Sequence, residues 1–260
     1  MITIAIAKGR MQDDALALLA RAGVRVAEDE RNSRRLAITD ESGRYRFIFV
    51  KPADVPVYVE HGIADCGVVG RDVLLESQAD LLLPLDLGIA RCRIVVAAAD
   101  AEIMTKNLGM LRVATKYSQI AGSHFGARGI PVEIIQLSGS VELAPALGLA
   151  DLIVDLVETG RTLRENGLTV IDEIAESTGK LVVNRASYQL KAEAITELVK
   201  ALESVVTASV REPVSEPLTS EVNEALSASL HEPLSASVHE PLTSKVNEPV
   251  SGSVKGGKEA

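Results

Sequence analysis

Residues 142–163 read ELAPALGLADLIVDLVETGRTL, and their apolar run, 150–157, holds only two acids, Asp151 and Asp155. Glu158, Thr159, Gly160, Arg161 and Thr162 follow, then the helix-prone Leu163, Arg164 and Glu165. A buried strand that breaks at Thr-Gly and restarts as a helix points several unpaired backbone N–H groups at one place. The helix dipole adds its own attraction for negative charge, so that place favours phosphate. Thr159 and Thr162 add hydroxyls and Arg161 adds a full charge. Asp155, at the strand end, is where a ribose hydroxyl or a metal could bind. Taken alone, Thr-Gly-x-Thr describes a plain helix cap equally well.

Two other strand-to-helix junctions carry small or cationic residues: Ala7-Lys8-Gly9-Arg10 and Leu137-Ser138-Gly139-Ser140. Ligands of open parallel sheets gather at the carboxyl ends of strands, so the three junctions can face one crevice. Together they point to a ligand with more than one phosphate cluster.

The elements that must position these residues alternate along the chain. Apolar runs predict strands over 2–7, 47–50, 66–69, 93–98, 112–114, 132–137 and 152–156. Helical spacing predicts helices over 12–21, 55–61, 118–127, 141–147 and 192–205. Such alternation predicts an α/β protein with mixed, mostly parallel sheets.

The spacing of Glu142, Gly148, Ala150, Ile153, Asp155, Leu156, Thr159, Gly160, Thr162 and Leu163 resembles the signature of the ATP phosphoribosyltransferases. ITIAIAKGR (2–10), NSRRL (32–36), the long segment 46–76, RVATKY (112–117) and EIIQLSGSVELAP (133–145) are also similar to family segments, in the family's order. The likeness runs from Met1 to about Val206 and is to the short form, without a C-terminal regulatory domain. It implies a two-lobed fold of the periplasmic-binding-protein type II kind, with lobe I over 1–90 completed by 175–206, lobe II over 91–174, and the active site between them. It also implies transfer of the 5-phosphoribosyl group of phosphoribosyl pyrophosphate to N1 of ATP, the first step of histidine biosynthesis, with Mg²⁺. The implied assembly is a homodimer joined by a histidyl-tRNA-synthetase-like regulatory subunit in a hetero-octamer.

Carried over by position, the resemblance places the phosphoribosyl pyrophosphate site at Asp155, Thr159, Gly160, Arg161 and Thr162. Glu158 either shares it or stands as a solvated rim carboxylate. Lys8, Gly9 and Arg10 are expected to bind ATP phosphates from the opposite lobe. Gly67 and Gly70, ahead of Asp72, read either as a wall for the adenine or as glycines required by tight packing. Arg34, Arg35 and Lys51 are the candidate catalytic cations, with a solvated strand edge as the other reading of the two arginines. The attacking nitrogen already has a lone pair, so positioning and charge neutralisation are the useful tools. None of His61, His124, His231 and His239 has a partner at catalytic spacing.

Composition narrows the alternatives. A net charge of −9, 3% aromatic residues and no Trp give neither the basic face nor the stacking platforms of a general nucleic-acid binder. Segment 2–7 meets Lys8 at once and reads as a strand, not a signal peptide. No apolar run nears the ~20 residues that span a bilayer. Cys66 and Cys92 lie in apolar stretches and read as reduced packing residues of a cytoplasmic protein. Five eight-residue repeats from Glu216, with prolines at 217, 233, 241 and 249, make 207–260 a low-complexity tail expected to be disordered. The competing reading is a two-lobed small-molecule-binding or sensor domain without catalysis.

Overall fold

The protein is described by a computed structural model that covers residues 1–26, 35–106 and 109–211, with side chains up to 208. The expected disorder of 207–260 therefore falls almost wholly outside the described residues, as does Arg34. These described residues belong to one compact unit, 1–213.

Two mixed sheets form the frame. The first has the order β2-β3-β1-β4-β11-β5, where β1 is Ile2–Ala7, β2 Ala37–Thr39, β3 Tyr45–Val50, β4 Cys66–Gly70, β5 Leu82–Asp86 and β11 Gly179–Val183. The second has the order β10-β6-β9-β7-β8, with β6 Cys92–Ala98, β7 Leu111–Thr115, β8 Val132–Gln136, β9 Leu152–Val157 and β10 Thr169–Ser177. Parallel pairing is confined to β1 with β3 and β4, and to β7 with β8 and β9. The other pairings are antiparallel, so parallel pairs do not predominate as expected. β10 and β11, separated only by Thr178, lie in different sheets, so the chain passes from the second sheet back to the first there, and each strand runs antiparallel to its neighbours. Their sequence hides them, because β10 mixes Ile171, Ile174 and Ala175 with Asp172, Glu173 and Glu176.

Alternation along the strands builds a core on each side of each sheet. In β1, Ile2, Ile4 and Ile6 face α1 (Arg10–Arg21) and the final helix, α9 (Ala192–Arg211), through Leu16, Leu19, Ile195 and Leu198. Ala5 and Ala7 face the other way, onto Val55 and Val59 of α2 (Val55–Glu60). Each fully buried Ile or Leu contributes about 1.5–3 kcal/mol. In β9, Leu152 and Val154 pack with Ile120, Ala121 and Phe125 of α5 (Ser118–Ala127), and Ile153 and Val157 pack with Val141, Leu163 and Leu168. Asp155 has the parity of Ile153 and Val157. It is therefore a carboxylate on a face that is otherwise apolar.

The helix expected over 192–205 runs to Arg211, and that expected over 141–147 shrinks to α6, Leu143–Ala146. α7 (Arg161–Glu165) is the helix expected after the Thr-Gly break, whereas α3 (Arg71–Ser77) and α8 (Arg185–Leu190) were not foreseen. The short α4 is Ile103–Lys106. Among the described residues no helix is long and apolar enough to cross a membrane. Cys66 and Cys92 are both free and buried.

Candidate active site in a two-part cleft

The break in β9 is set by Gly160, whose φ of +73° lies in the left-handed region that glycine enters without penalty. The turn is then pinned by the Arg164 guanidinium, which donates to the Thr159 carbonyl at 3.1 Å. The first N–H groups of α7, beginning at Arg161, have no intrahelical acceptor and open onto the turn. Across from it Gly9, with φ +104°, lets β1 turn directly into α1, so that Arg10 becomes its first residue. Arg10 and Glu158 form an ion pair between the two sheets' halves of the molecule.

These pieces enclose a cavity of about 290 Å³ lined by Arg10, Glu142 and residues 155–163. Thus Asp155, Glu158, Thr159, Gly160, Arg161, Thr162 and Arg10 come together in one place. Asp155 is only 24% exposed. Burial raises its carboxyl above the ordinary value, and the Lys116 ammonium, 3.7 Å away, works in the opposite direction. Its Oδ1 also accepts the Leu156 N–H at 2.8 Å.

A second cavity of about 590 Å³ adjoins the first at Leu156. Lys51, Asp72, Glu76, Ser77, Lys116, Tyr117 and Ser138 supply its polar groups, and Pro52, Ala53, Val73 and Leu156 its apolar wall. Asp72 is buried and held from three sides. The Tyr117 hydroxyl donates to Oδ2 (3.1 Å), the Ser177 hydroxyl donates to Oδ1 (2.9 Å), and the Asp72 N–H donates back to Ser177 (3.0 Å). Burial, together with the Asp72 charge, pushes the Tyr117 phenol far up, so it stays a donor. Beside it, the Glu76 carboxylate of α3 accepts the Gln119 and Ile120 N–H groups (3.0 and 3.1 Å) at the start of α5.

The remaining expected residues stand elsewhere. Lys8 is exposed and its N–H donates to the Val50 carbonyl (2.8 Å); neither it nor Gly9 lines either cavity. Gly67 sits inside the first sheet, where an added Cβ would come 2.8 Å from Val55 Cγ1 and 3.0 Å from the Ala5 carbonyl. Packing under α2 accounts for that glycine, which lines neither cavity. At Gly70 a Cβ would fall on the Asp72 carboxylate, so its role is to make room for Asp72. Arg35 is exposed at the start of a described segment. Lys116, Tyr117 and Glu142 line the cleft without having been assigned a role from sequence, and of the junction 137–140 only Ser138 reaches it. Lys116 was findable, since it follows a strand in RVATKY as Lys8 follows one in ITIAIAKGR.

Among the described residues no cluster of three or more His, Cys, Asp or Glu side chains is arranged to hold a metal. The donor set fits an ion that arrives on a diphosphate and keeps its water, as Mg²⁺ commonly does, and not a protein cage.

Known proteins agree with this architecture. The family model described as "HisG: ATP phosphoribosyltransferase" matches residues 51–204. An ATP phosphoribosyltransferase of Sorangium cellulosum is 50% identical over 211 residues, covering 81% of this chain and 98% of that one. One from Geobacillus sp. is 49% identical over 206 residues, covering 79% and 99%. Among solved structures, the ATP phosphoribosyl transferase (HisG:HisZ) complex from Thermotoga maritima is 38% identical with a TM-score of 0.70, covering 80% of this chain and all of that one. The VFT2 domain of Bordetella pertussis BvgS, 17% identical with a TM-score of 0.50 over 80% of this chain and 92% of that one, shares the fold alone. With 50% identity over 211 residues to one relative and a family model matching more than half of its length, the chain belongs to the ATP phosphoribosyltransferase family.

Proposed function

We propose that this chain joins N1 of ATP's adenine to C1 of phosphoribosyl pyrophosphate and releases pyrophosphate, opening histidine biosynthesis. The observation that carries the reading is the small cavity, where the start of α7, two Thr hydroxyls, Arg161 and a half-buried Asp155 meet in an ATP phosphoribosyltransferase chain. The 5′-phosphate takes the turn around Gly160, and Asp155 accepts from the ribose hydroxyls. The adenine lies in the larger cavity against its apolar wall, with Lys51 and Lys116 toward its phosphates. As the bond from C1 to the diphosphate breaks, positive character grows on C1 and negative charge on the leaving group. Fixed charges already in place meet both without reorganisation. Mg²⁺, when bound, neutralises the diphosphate; Arg10 and the two lysines of the cleft add basic charge near it.

In this reading the two sheets act as lobes, 1–90 with 175–206 and 91–174, and the protein works in the cytoplasm as a homodimer. A histidyl-tRNA-synthetase-like subunit completes a hetero-octamer and supplies the histidine site, in keeping with the two-component HisG:HisZ complex from Thermotoga maritima. The test is to mix the purified chain with ATP, phosphoribosyl pyrophosphate and Mg²⁺ and to follow the ultraviolet absorbance of N1-alkylated adenine. Binding of either substrate without that absorbance, with and without the partner, would favour a sensor domain instead. Tight histidine binding by the chain alone would remove the need for a regulatory partner.

A further inference from the structure

We propose that Lys116 is a positioning residue for the phosphoribosyl donor, holding the Asp155 carboxylate anionic and aimed into the small cavity. Its Nζ lies 3.7 Å from Asp155 Oδ1 and 4.9 Å from the centroid of the Tyr117 ring, so the ammonium is fixed between a carboxylate and an aromatic face. The backbone on both sides is tied down. The Tyr117 N–H donates to the Thr115 hydroxyl (2.8 Å), which donates to the Val154 carbonyl of β9 (2.6 Å). The Tyr117 hydroxyl is held by Asp72 from the other sheet's half (3.1 Å). Contact between the halves thus sets the tyrosine under Lys116, and Lys116 reaches Asp155.

The carboxylate needs such a partner. Around Asp155 stand Lys116 and Tyr117 after β7, Glu142 ahead of α6, Glu158 and Arg161 on its own loop, and Arg10 from α1. Glu142 and burial both favour the protonated form, whereas Lys116 is the cation that opposes them most directly. A protonated Asp155 would donate where the ribose hydroxyls require an acceptor. The role depends on the small cavity taking the phosphoribosyl donor, as set out above.

The experiment compares the full chain with its Lys116→Met, Lys116→Gln and Lys116→Arg variants. Lys116 is 41% exposed, so the substitutions leave the core untouched. In the chain without substrates, carbon-13 NMR of labelled aspartate follows the Asp155 carboxyl, assigned with Asp155→Asn. Its midpoint should rise by about one pH unit in the Met and Gln variants, as expected for loss of a nearby opposite charge, and stay near the original in the Arg variant. An unmoved midpoint overturns the proposal whatever the activity. Calorimetry should show affinity for phosphoribosyl pyrophosphate falling about tenfold in Lys116→Met, the equivalent of one charge-assisted hydrogen bond, with ATP affinity nearly unchanged. The deficit should widen as pH falls, and Lys116→Arg should restore most of it. Equal loss for both substrates with no change in pH profile would make Lys116 a general cleft cation and also overturn the proposal. If the unsubstituted chain binds neither substrate, the enzymatic reading fails, while the NMR midpoint still judges the pairing.

Discussion

The small cavity and the larger one are neighbours that share Leu156, yet they are assembled in different ways. All of the small cavity's lining except Arg10 and Glu142 comes from one stretch, 155–163, at the end of β9. The larger cavity takes residues 51–53, 72–73, 76–77, 116–117, 138 and 156, which reach it from both halves of the molecule. A site built from one stretch needs only a strand, a turn and a helix in the right order. A site built from many needs every element in place first. The smaller should therefore keep its shape when the halves move, and the larger should depend on contacts such as Tyr117 with Asp72.

The widest predicted split between the two cavities comes from substitutions in the small one. Asp155→Asn should weaken phosphoribosyl pyrophosphate by about 1.5–3 kcal/mol, the value of hydrogen bonds to a charged group, and leave ATP nearly unaffected. Thr159→Val should follow the same pattern at about 0.5–1.5 kcal/mol. Calorimetry with each substrate separately checks both, and equal losses would break the distinction between the cavities. The same Asp155→Asn variant carries a stability prediction. A carboxyl raised by burial binds more protons folded than unfolded, so its effect on stability worsens as pH rises from the unfolded value through the folded one. At neutral pH the ionised group therefore costs stability, and Asp155→Asn should melt no lower than the parent. A melting point clearly lowered at pH 7 and not at pH 4 would reverse the sign.

A smaller effect, of a different kind, is expected at Gly67. The Cβ of Gly67→Ala would press on Val55, Val59 and the Ala5 carbonyl. Overpacking of this sort costs about 1–3 kcal/mol of stability. Denaturant unfolding should show that loss, with the affinities for the two substrates unchanged relative to each other. A selective loss of ATP would return Gly67 to the larger cavity's wall. The smallest effect is reserved for the repeats: removing 214–260 should change stability by less than about 0.5 kcal/mol, since a short proline-rich repeat has little core to offer. The curated relatives reach full length while covering 79–81% of this chain, which is consistent with a body that folds without that segment. A melting point lowered by about ten degrees would contradict it.

Most of the frame was legible in the residues. β1, α1, β3, α2, β4, β6, β7, α5, β8 and β9 are strongly patterned runs, and each forms within a few residues of the place its pattern indicates. Less visible were β2, β5, β10 and β11. Val170, Ile171, Asp172 and Glu173 follow neither the alternation of a half-exposed strand nor the continuous run of a buried one, and bulges break the β10 ladder between Val170 and Asp172 and again between Glu173 and Ala175. Of the site, the stretch 155–162 and Arg10 were readable because strand-turn-glycine-helix is a local device.

By itself the sequence determined the family, the glycine turn after β9, and the alternation that makes two packed sheets, because each of these is written in neighbouring residues. Tertiary structure decided which glycines serve packing and which serve the site. Gly67 and Gly160 look alike in sequence, and only the atoms around them tell a filled core from an open turn. It also decided that Lys116 reaches Asp155 and that Tyr117 reaches Asp72. Those pairs are 39 and 45 residues apart in the chain, and nothing local fixes a contact that depends on how β7 lies beside β9 and how α3 meets the start of α5.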